Sequence, residues 1–587
     1  MKRFTTVCLV ALCTILTTMA RPKTVKLRVI QTTDVHGCFF PYDFINQKPK
    51  KGSMARVMTY VDSVRKQYGE NLLLLDNGDI LQGQPTCYYS NFVNPDMPNV
   101  AAAVINYMGF DAQTIGNHDI ETGHAVYDKW IEEVKCPMLG ANIINRATGK
   151  PYTEPYAIFN RQGVKIAVLG LLTPAIPNWL NEELWKGLKF EEMVGSAKYW
   201  VNHLKKTEQA DIIIGLFHSG KDGGIHTDEY DEDASLRIAR EVPGFDMVLF
   251  GHDHTKFGEV IKNIEGKDVL CMNASCNALM VCDASITVTW NEKRGKKTNL
   301  KKEISGTIAN VENLKVDQDF MDHFSATIDS VNHFVNRKIG TFEKSIYSRD
   351  CYFGPSEFTD FIHDLQLKLT GADISFNAPL TFDSRIKKGN VHVSDMFNLY
   401  KYENQIYVVK MTGEEIRKHL EMSYDQWVAT MKSPDDHIML LNDASKDDQQ
   451  RLGFKNLTFN FDSAAGIEYE VDVTRPNGEK VRILRMSNGE PFEEDKWYNV
   501  VMNSYRGNGG GELLTKGAGI PHHELKNRIV FESERDQRFY LMQEIEKTGH
   551  MDPQKHQNWK FVPQEWAKKA IERDKAIIFP HPVEEEY

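Results

Sequence analysis

The 587-residue sequence has no excess of basic residues. Lys and Arg number 70 against 81 Asp and Glu, a net charge of −11 with a pI near 6.0. A binder of long nucleic acid draws its affinity from counterions released by a basic surface, so this balance argues against that class. Beyond the first twenty residues there is no apolar run of membrane length. No segment is compositionally simple and no internal repeat occurs, while the length allows more than one domain of ordinary size. Cysteine is scarce. Of nine, Cys8 and Cys13 lie in the first twenty residues, leaving seven (Cys38, Cys87, Cys136, Cys271, Cys276, Cys282 and Cys351). They lack zinc-ribbon spacing, and an odd number requires at least one to stay unpaired or to pair between molecules. Cys271, Cys276 and Cys282 are expected as small core residues.

The first twenty residues read as a separate object. Lys2 and Arg3 give a positive start, 4–16 an apolar stretch, and Thr18-Met19-Ala20 a small-residue cleavage pattern. That is the pattern of a secretory signal peptide over 1–20. The stretch is short for a retained anchor, and Val7 and Leu12 are poor neighbours for lipidation of Cys8 or Cys13. The expected location is the periplasm or another exported compartment, with no transmembrane segment in the mature chain and no obligate protein partner.

What is present is a series of five segments rich in metal-ligating residues: Asp34-Val35-His36-Gly37, Gly78-Asp79, Gly116-Asn117-His118-Asp119, His218-Ser219-Gly220 and Gly251-His252-Asp253-His254. Each follows an apolar run, at 27–30, 72–75, 112–115, 212–217 and 247–250. Such runs read as buried strands of a mostly parallel sheet. The segments therefore lie on loops beyond strand ends, where open α/β sheets bind ligands. Carboxylate, imidazole and amide oxygen without thiolate suit Zn, Mn or Fe. Asp34 and His36 are two apart, as are His252 and His254, so on an extended strand end each pair shares a face. A lone histidine of this kind is as readily structural; five such endings in order point to one polynuclear site.

The D-x-H, G-D, G-N-H-D, H and G-H-x-H series resembles the signature of the calcineurin-like metallophosphoesterases. The resemblance implies that Asp34, His36, Asp79 and His254 hold one divalent ion. Asp79, Asn117, His218 and His252 would hold a second, with Asp79 bridging. It makes His118 the catalytic histidine that is not a ligand, with Asp119 orienting its imidazole.

Residues 24–305 alternate apolar strands with amphipathic stretches at 55–68 and 195–207, which implies βα units. A strand at 284–290 and a basic turn at 291–297 close the unit. Val311, Leu314, Met321, Phe324, Ile328 and Val331 at helical spacing predict a connecting helix over 306–339. A second domain is expected over 340–545 and a tail over 546–587, where Glu584-Glu585-Glu586 reads as a solvated terminus. In the second domain a helix is expected over 356–370, stopped by Gly371, and the 408–413 segment leads into another.

That second series resembles the C-terminal substrate domain of the periplasmic 5′-nucleotidases, so the resemblance covers nearly the whole mature chain. The implied fold is α/β: a four-layer calcineurin-like metallophosphoesterase domain followed by an α+β 5′-nucleotidase-type substrate domain. Several segments look closer to the 2′,3′-cyclic-nucleotide 2′-phosphodiesterase/3′-nucleotidase branch. These are 32–37, 76–83, Leu399-Tyr400-Lys401-Tyr402-Glu403-Asn404 and Asn503-Ser504-Tyr505-Arg506-Gly507-Asn508 with Gly509-Gly510-Gly511. Glu512 and Leu513 follow where 5′-nucleotidases carry a Gly-Gly-Asp and an aromatic, so Tyr402 and Tyr505 are expected as the stacking pair for a nucleobase, and Asn377 as a binding contact. The Gly509–Gly511 run would let backbone approach the ligand. The plain alternatives are half-buried sheet tyrosines and turn residues. The expected activity is a dimetal phosphohydrolase of small nucleotides that opens 2′,3′-cyclic nucleotides and removes the 3′-phosphate. The nearer rival is a 5′-nucleotidase, UDP-sugar hydrolase or thiosulfate-handling relative; the distant one is a non-catalytic exported binding protein.

Overall fold

The computed structural model describes residues 22–293, 295–442 and 453–581. The expected signal peptide over 1–20 and the 584–586 run lie outside them. The apolar runs do form buried strands, but in two facing sheets. One has the order Lys296–Asn310, Met280–Lys293, Lys23–Thr32, Leu72–Asp76, Ala112–Thr114, Met138–Leu139. The other runs Lys256–Lys262, Asp268–Ala274, Met247–Phe250, Ile212–His218, Val164–Leu172, Tyr156–Arg161. The strands that lead into the five segments pair in parallel within each sheet, Lys23–Thr32 with Leu72–Asp76 and Ile212–His218 with Met247–Phe250.

Period-two alternation decides what each face meets. Val25, Leu27, Val29, Leu73 and Leu75 point between the sheets, against Ile212, Ile214, Leu216, Met247 and Leu249. The opposite faces bury against helices. Ile30, Leu72 and Leu74 meet Met54, Val57 and Val61 of helix Met54–Tyr68, while Ile213, Val248 and Phe250 meet Val194, Ala197 and Val201 of helix Met193–Lys206. Helix, sheet, sheet and helix make the four layers.

The connecting segment differs from expectation. Strand Lys296–Asn310 occupies its start, and two helices follow, Gln318–His323 and Ser325–Val335. Phe324, at φ −97° and ψ 10°, breaks the continuity between them, so the apolar spacing across 311–331 runs through a kink.

In the C-terminal half, Ser463–Ala465, Ile374–Asn377, Trp497–Asn503, Gln405–Thr412 and Ile529–Asp536 form a five-stranded sheet. Helix Glu357–Thr370 starts at Ser356, whose hydroxyl accepts from Thr359 N, and stops at the left-handed Gly371. Helix Gly413–Trp427 opens with a capping box in which Thr412 and Glu415 exchange bonds. The segment expected as a tail is built into the fold instead. His550–Met551 pairs with Lys338–Phe342, Trp559–Val562 pairs with Ile467–Asp472, and helix Gln564–Ile578 buries Ala567 and Ala570. Its aromatic richness is core: Trp559 and Phe561 pack with Tyr424 and Trp427. Among the described residues all seven cysteines are unpaired; Cys271 and Cys282 are buried as expected, whereas Cys276 is half-exposed.

His363 is buried between the hydroxyls of Ser375 and Ser463, at 2.8 and 3.4 Å, and burial pushes its pKa down to about 3. An unfolded histidine titrates near 6.5, so between pH 6.5 and 3 the unfolded chain binds the extra proton and folding weakens as pH falls. His363 should cost the fold about 2 kcal/mol between pH 7 and pH 5. Denaturant midpoints at the two pH values check this, since His363→Gln should remove that part of the loss; an unchanged pH slope would contradict it.

Candidate active site

The five segments leave the C-terminal ends of their strands and converge between the two sheets. Asp34, His36, Asp79, His252 and His254 all have positive φ, at 50, 47, 54, 77 and 55°. The expected extended pairing of Asp34 with His36 and of His252 with His254 is therefore not how these side chains come together. Each sits in the left-handed region, a strain of order 1–3 kcal/mol that persists only where the surroundings over-determine it. Here they do. Asp34 N donates to Gly78 O, His36 N to Asp79 O, Asn77 N to Thr32 O and Asn277 N to Asp34 O, at 2.8–3.1 Å. A Cβ on Gly116 would lie 2.1 Å from Asp79 Oδ1, so the glycine is what lets that carboxylate lie against the 116–119 turn.

Two groups of donors result. Asp34, His36, Asp79 and His254 each offer an atom within 4.8 Å of the others, and so do Asp79, His218 and His252. Asn117 Oδ1 joins the second group at 3.1 Å from His218 Nε2 and 2.8 Å from His252 Nδ1. Asp79 is common to both, as a bridging carboxylate would be. His36 Nε2 and His254 Nε2 face each other at 2.9 Å. Burial presses the His36 imidazolium down to about 3, with His254 adding to it. Burial would raise Asp79, but His218 and His118 hold it well below the usual carboxylate range. Imidazole, carboxylate and amide oxygen converging from several loops fit divalent cations of the Zn, Mn or Fe kind. The calcineurin-like phosphoesterases use two such ions.

His118 stands beside both groups. Its amide donates to Asp79 Oδ1 at 2.9 Å. Burial would depress its imidazolium; the Glu121 and Asp79 carboxylates outweigh that and raise it to about 10, a value that bound cations would lower. The ring partner is a correction to the sequence reading. The Asp119 carboxylate accepts from the amides of Asp79, Ile80, Leu81 and Gly116 at 2.8–2.9 Å, and so holds the loop under the ligands. Glu121 is the residue that takes the His118 Nδ1–H, at 2.5 Å. One turn of helix separates i from i+3 and places Glu121 there; that spacing was the available signal.

The C-terminal half brings aromatic side chains to this centre. Tyr402 lies parallel to His118, with ring centroids 6.4 Å apart and 7° between planes. Tyr505 makes its ring contact with Phe459, 6.0 Å away and edge-on at 89°. The ring in contact with Tyr505 is Phe459, and both are half-buried. Buried Arg506 ties their segments together: it grips both Asp462 oxygens, donates to Phe459 O at 2.8 Å and also bonds Gly510 O. A Cβ on Gly510 would lie 2.6 Å from the Tyr505 ring, so this glycine admits the tyrosine itself. Asn377 ends its strand at the same edge, 3% exposed, with neither amide atom of its side chain partnered. Behind Tyr402, fully buried Arg538 holds Tyr400 O, Lys401 O and Glu403 at 2.6–2.9 Å and lies over the rings of Phe397 and Tyr88. The two halves meet here: Tyr88 donates to Asp536 at 3.1 Å and Asn508 to Trp179 O at 3.4 Å.

Residues 27–256 match the family model described as calcineurin-like phosphoesterase, and residues 338–516 match that described as 5′-nucleotidase, C-terminal domain. The chain is 26% identical to the 2′,3′-cyclic-nucleotide 2′-phosphodiesterase/3′-nucleotidase of Haemophilus influenzae, over 93% of its own length and 89% of that protein. It is also 26% identical to the trifunctional nucleotide phosphoesterase YfkN of Bacillus subtilis, over 92% of this chain but only 39% of that one. A 5′-nucleotidase of Vibrio cholerae is 37% identical over 39% of this chain and 40% of its own. In fold, the chain resembles a Staphylococcus aureus protein solved with α-ketoglutarate (TM-score 0.75, 21% identity, 92% of this chain and 100% of that one). It resembles a Thermus thermophilus 5′-nucleotidase precursor at TM-score 0.61 and 20% identity, over the same shares of the two chains.

Proposed function

We propose, from the premise that this chain belongs to the calcineurin-like phosphoesterases that carry a 5′-nucleotidase C-terminal domain, that it opens 2′,3′-cyclic nucleotides to 3′-nucleotides and then removes the 3′-phosphate. The chain is a metal-dependent phosphoric ester hydrolase. The observation that carries the reading is the convergence of two donor groups that share Asp79, with His118 beside them and the Tyr402 ring lying over His118. In this account the unit over 24–305 carries the chemistry and the unit from 340 onward holds the base. Asp34, His36, Asp79 and His254 hold one divalent ion; Asp79, Asn117, His218 and His252 hold the other.

Two divalent cations supply Lewis acidity to a phosphoryl group and a nucleophile at neutral pH. The chain's own residues do the rest. Glu121 fixes the His118 Nδ1–H, which leaves Nε2–H facing the cleft to protonate the departing oxygen. In the first step water adds to phosphorus, the bond to the 2′ oxygen breaks, and that oxygen takes the His118 proton; the proton released from water restores the imidazolium. The second step repeats this at the 3′ oxygen. Tyr505, braced edge-on by Phe459, offers the base a face to stack on, Tyr402 closes the cleft over His118, and the unpartnered amide of Asn377 meets the ligand.

Stacking is worth about 1–3 kcal/mol per base, so Tyr505→Ala should raise KM for nucleotides by roughly 5- to 150-fold and leave p-nitrophenyl phosphate turnover within about twofold. Equal loss on both substrates would remove the base platform from the account. The reading as a whole is tested by phosphate and nucleoside release from 2′,3′-cyclic AMP, 3′-AMP, 5′-AMP and UDP-glucose. Preference for the first two is expected. The higher identity to the Vibrio 5′-nucleotidase over its shorter match keeps the 5′-nucleotidase reading second; preference for 5′-AMP or UDP-glucose would install it. A protein that turns over none of the four after Mn or Zn loading would be the non-catalytic binder. Export is part of the proposal, carried by the pattern over 1–20; among the described residues no helix is long and apolar enough to cross a membrane.

A further inference from the structure

Glu232 lies outside the five segments, on a hairpin formed by Gly223–His226 and Asp231–Asp233. Its two carboxylate oxygens are divided. Oε1 meets His252 Nε2 at 3.1 Å, and Oε2 accepts from Ile225 N at 2.6 Å. The hairpin is itself anchored beside the site, because Glu232 O accepts from Thr173 and Ser219 hydroxyls, both at 2.9 Å. On the far side of the ring, His252 Nδ1 faces Asn117 Oδ1 at 2.8 Å. An imidazole with one nitrogen toward a metal position and the other on a carboxylate has its tautomer and its orientation set by that carboxylate.

We propose that Glu232 is the positioning residue of the Asn117, His218 and His252 ligand set: by taking the Nε2–H of His252 it leaves the Nδ1 lone pair for the metal and fixes the plane of the ring. This rests on the dimetal reading above. The neighbouring ligand has the same device in a different form, since His218 Nδ1–H donates to Asn77 O at 2.6 Å and leaves Nε2 for the site. A main-chain carbonyl performs that service for His218, whereas His252 depends on a replaceable side chain carried by a hairpin. Glu232, Asp233 and His252 also stand close enough to be read as a ligand trio of their own. The bonds already in place disfavour that use: Oε2 is committed to Ile225 N and Asp233 Oδ1 to Gly220 N at 2.7 Å.

The test is Zn and Mn binding by calorimetry and metal analysis on the full chain, with wild type, Glu232→Ala and Glu232→Gln. Loss of such a partner typically lowers metal affinity 10- to 100-fold. Glu232→Ala should show that loss at one of two equivalents and leave the other within about threefold. Glu232→Gln, isosteric and still carrying one acceptor, should lose less. In Zn-loaded wild type, ¹⁵N-histidine spectra should show a protonated Nε2 on His252, and in Glu232→Ala that signal should broaden or move to the other nitrogen. Two equivalents bound with equal affinity by wild type and both variants would overturn the proposal alone. Three equivalents in wild type and two in Glu232→Ala would make Glu232 a ligand and also overturn it. A wild type that does not bind two equivalents would sink the dimetal reading, and Glu232 with it. Melting of the metal-free variants separates misfolding from lost positioning, and Glu232→Gln decides if Glu232→Ala is unfolded.

Discussion

His118→Ala should lower kcat on both cyclic and 3′-nucleotides by 10²- to 10⁴-fold while metal content stays at the wild-type level. The range is that of a positioned proton donor. The separation from metal content follows because the His118 ring belongs to neither donor group; its amide, which the substitution keeps, is what touches Asp79. Glu121→Gln should lose less, because Gln can still accept from Nδ1–H at 2.5 Å while the charge that raises the imidazolium is gone. Its signature is in pH. With the carboxylate removed, the His118 pKa falls, so the protonated donor is lost at lower pH and the alkaline limb of kcat should move to lower pH. Steady-state kinetics across pH on the two variants, with metal analysis on the same samples, decide this. A His118→Ala protein that has lost its metal would turn the histidine into a structural residue.

Asp79→Asn should be the most damaging single substitution in the chain. Asp79 is the one residue common to both donor groups, it is buried, and its backbone carbonyl and one carboxylate oxygen also hold His36 and His118 amides at 2.9 Å. An amide keeps the shape but removes the charge that two neighbouring cations need between them. Several kcal/mol of transition-state stabilisation attributed to such ions translates to a loss of order 10³-fold or more in kcat/KM. Added Mn or Zn should not restore it, in contrast to wild type stripped by a chelator and reloaded. Recovery above about a tenth of wild-type activity at saturating metal would show that the bridging role is not needed.

The donor set was legible in the sequence because each ligand segment directly follows an apolar run, and the strands these runs form pair in parallel, so their C-terminal ends lie side by side. Asp34, His36, Asp79, Asn117, His218, His252 and His254 all converge as a result. What the sequence could not convey was the local backbone. A spacing of two residues is compatible with an extended strand end and with two left-handed residues around Val35, and only the cross-loop bonds select the second. The partner of His118 was misread for a related reason: Asp119 is adjacent in sequence but on another side of the turn, where four amides compete for its carboxylate. Phe459 is not legible as a neighbour of Tyr505, because the two are 46 positions apart and only the buried Arg506, bonded to Phe459 O and Asp462, ties their segments together. The same holds for the 546–581 stretch, whose strands complete sheets begun some 90 to 200 residues earlier.

The proposed chemistry depends on two metal ions sharing Asp79 beside His118. Crystals grown with Mn and measured for anomalous scattering test it most directly. Two peaks are expected at roughly the 3.5–4 Å spacing of two-metal phosphoesterase sites, one among Asp34, His36, Asp79 and His254 and one among Asp79, Asn117, His218 and His252. A single peak, or peaks that leave Asp79 out of either coordination shell, would contradict it.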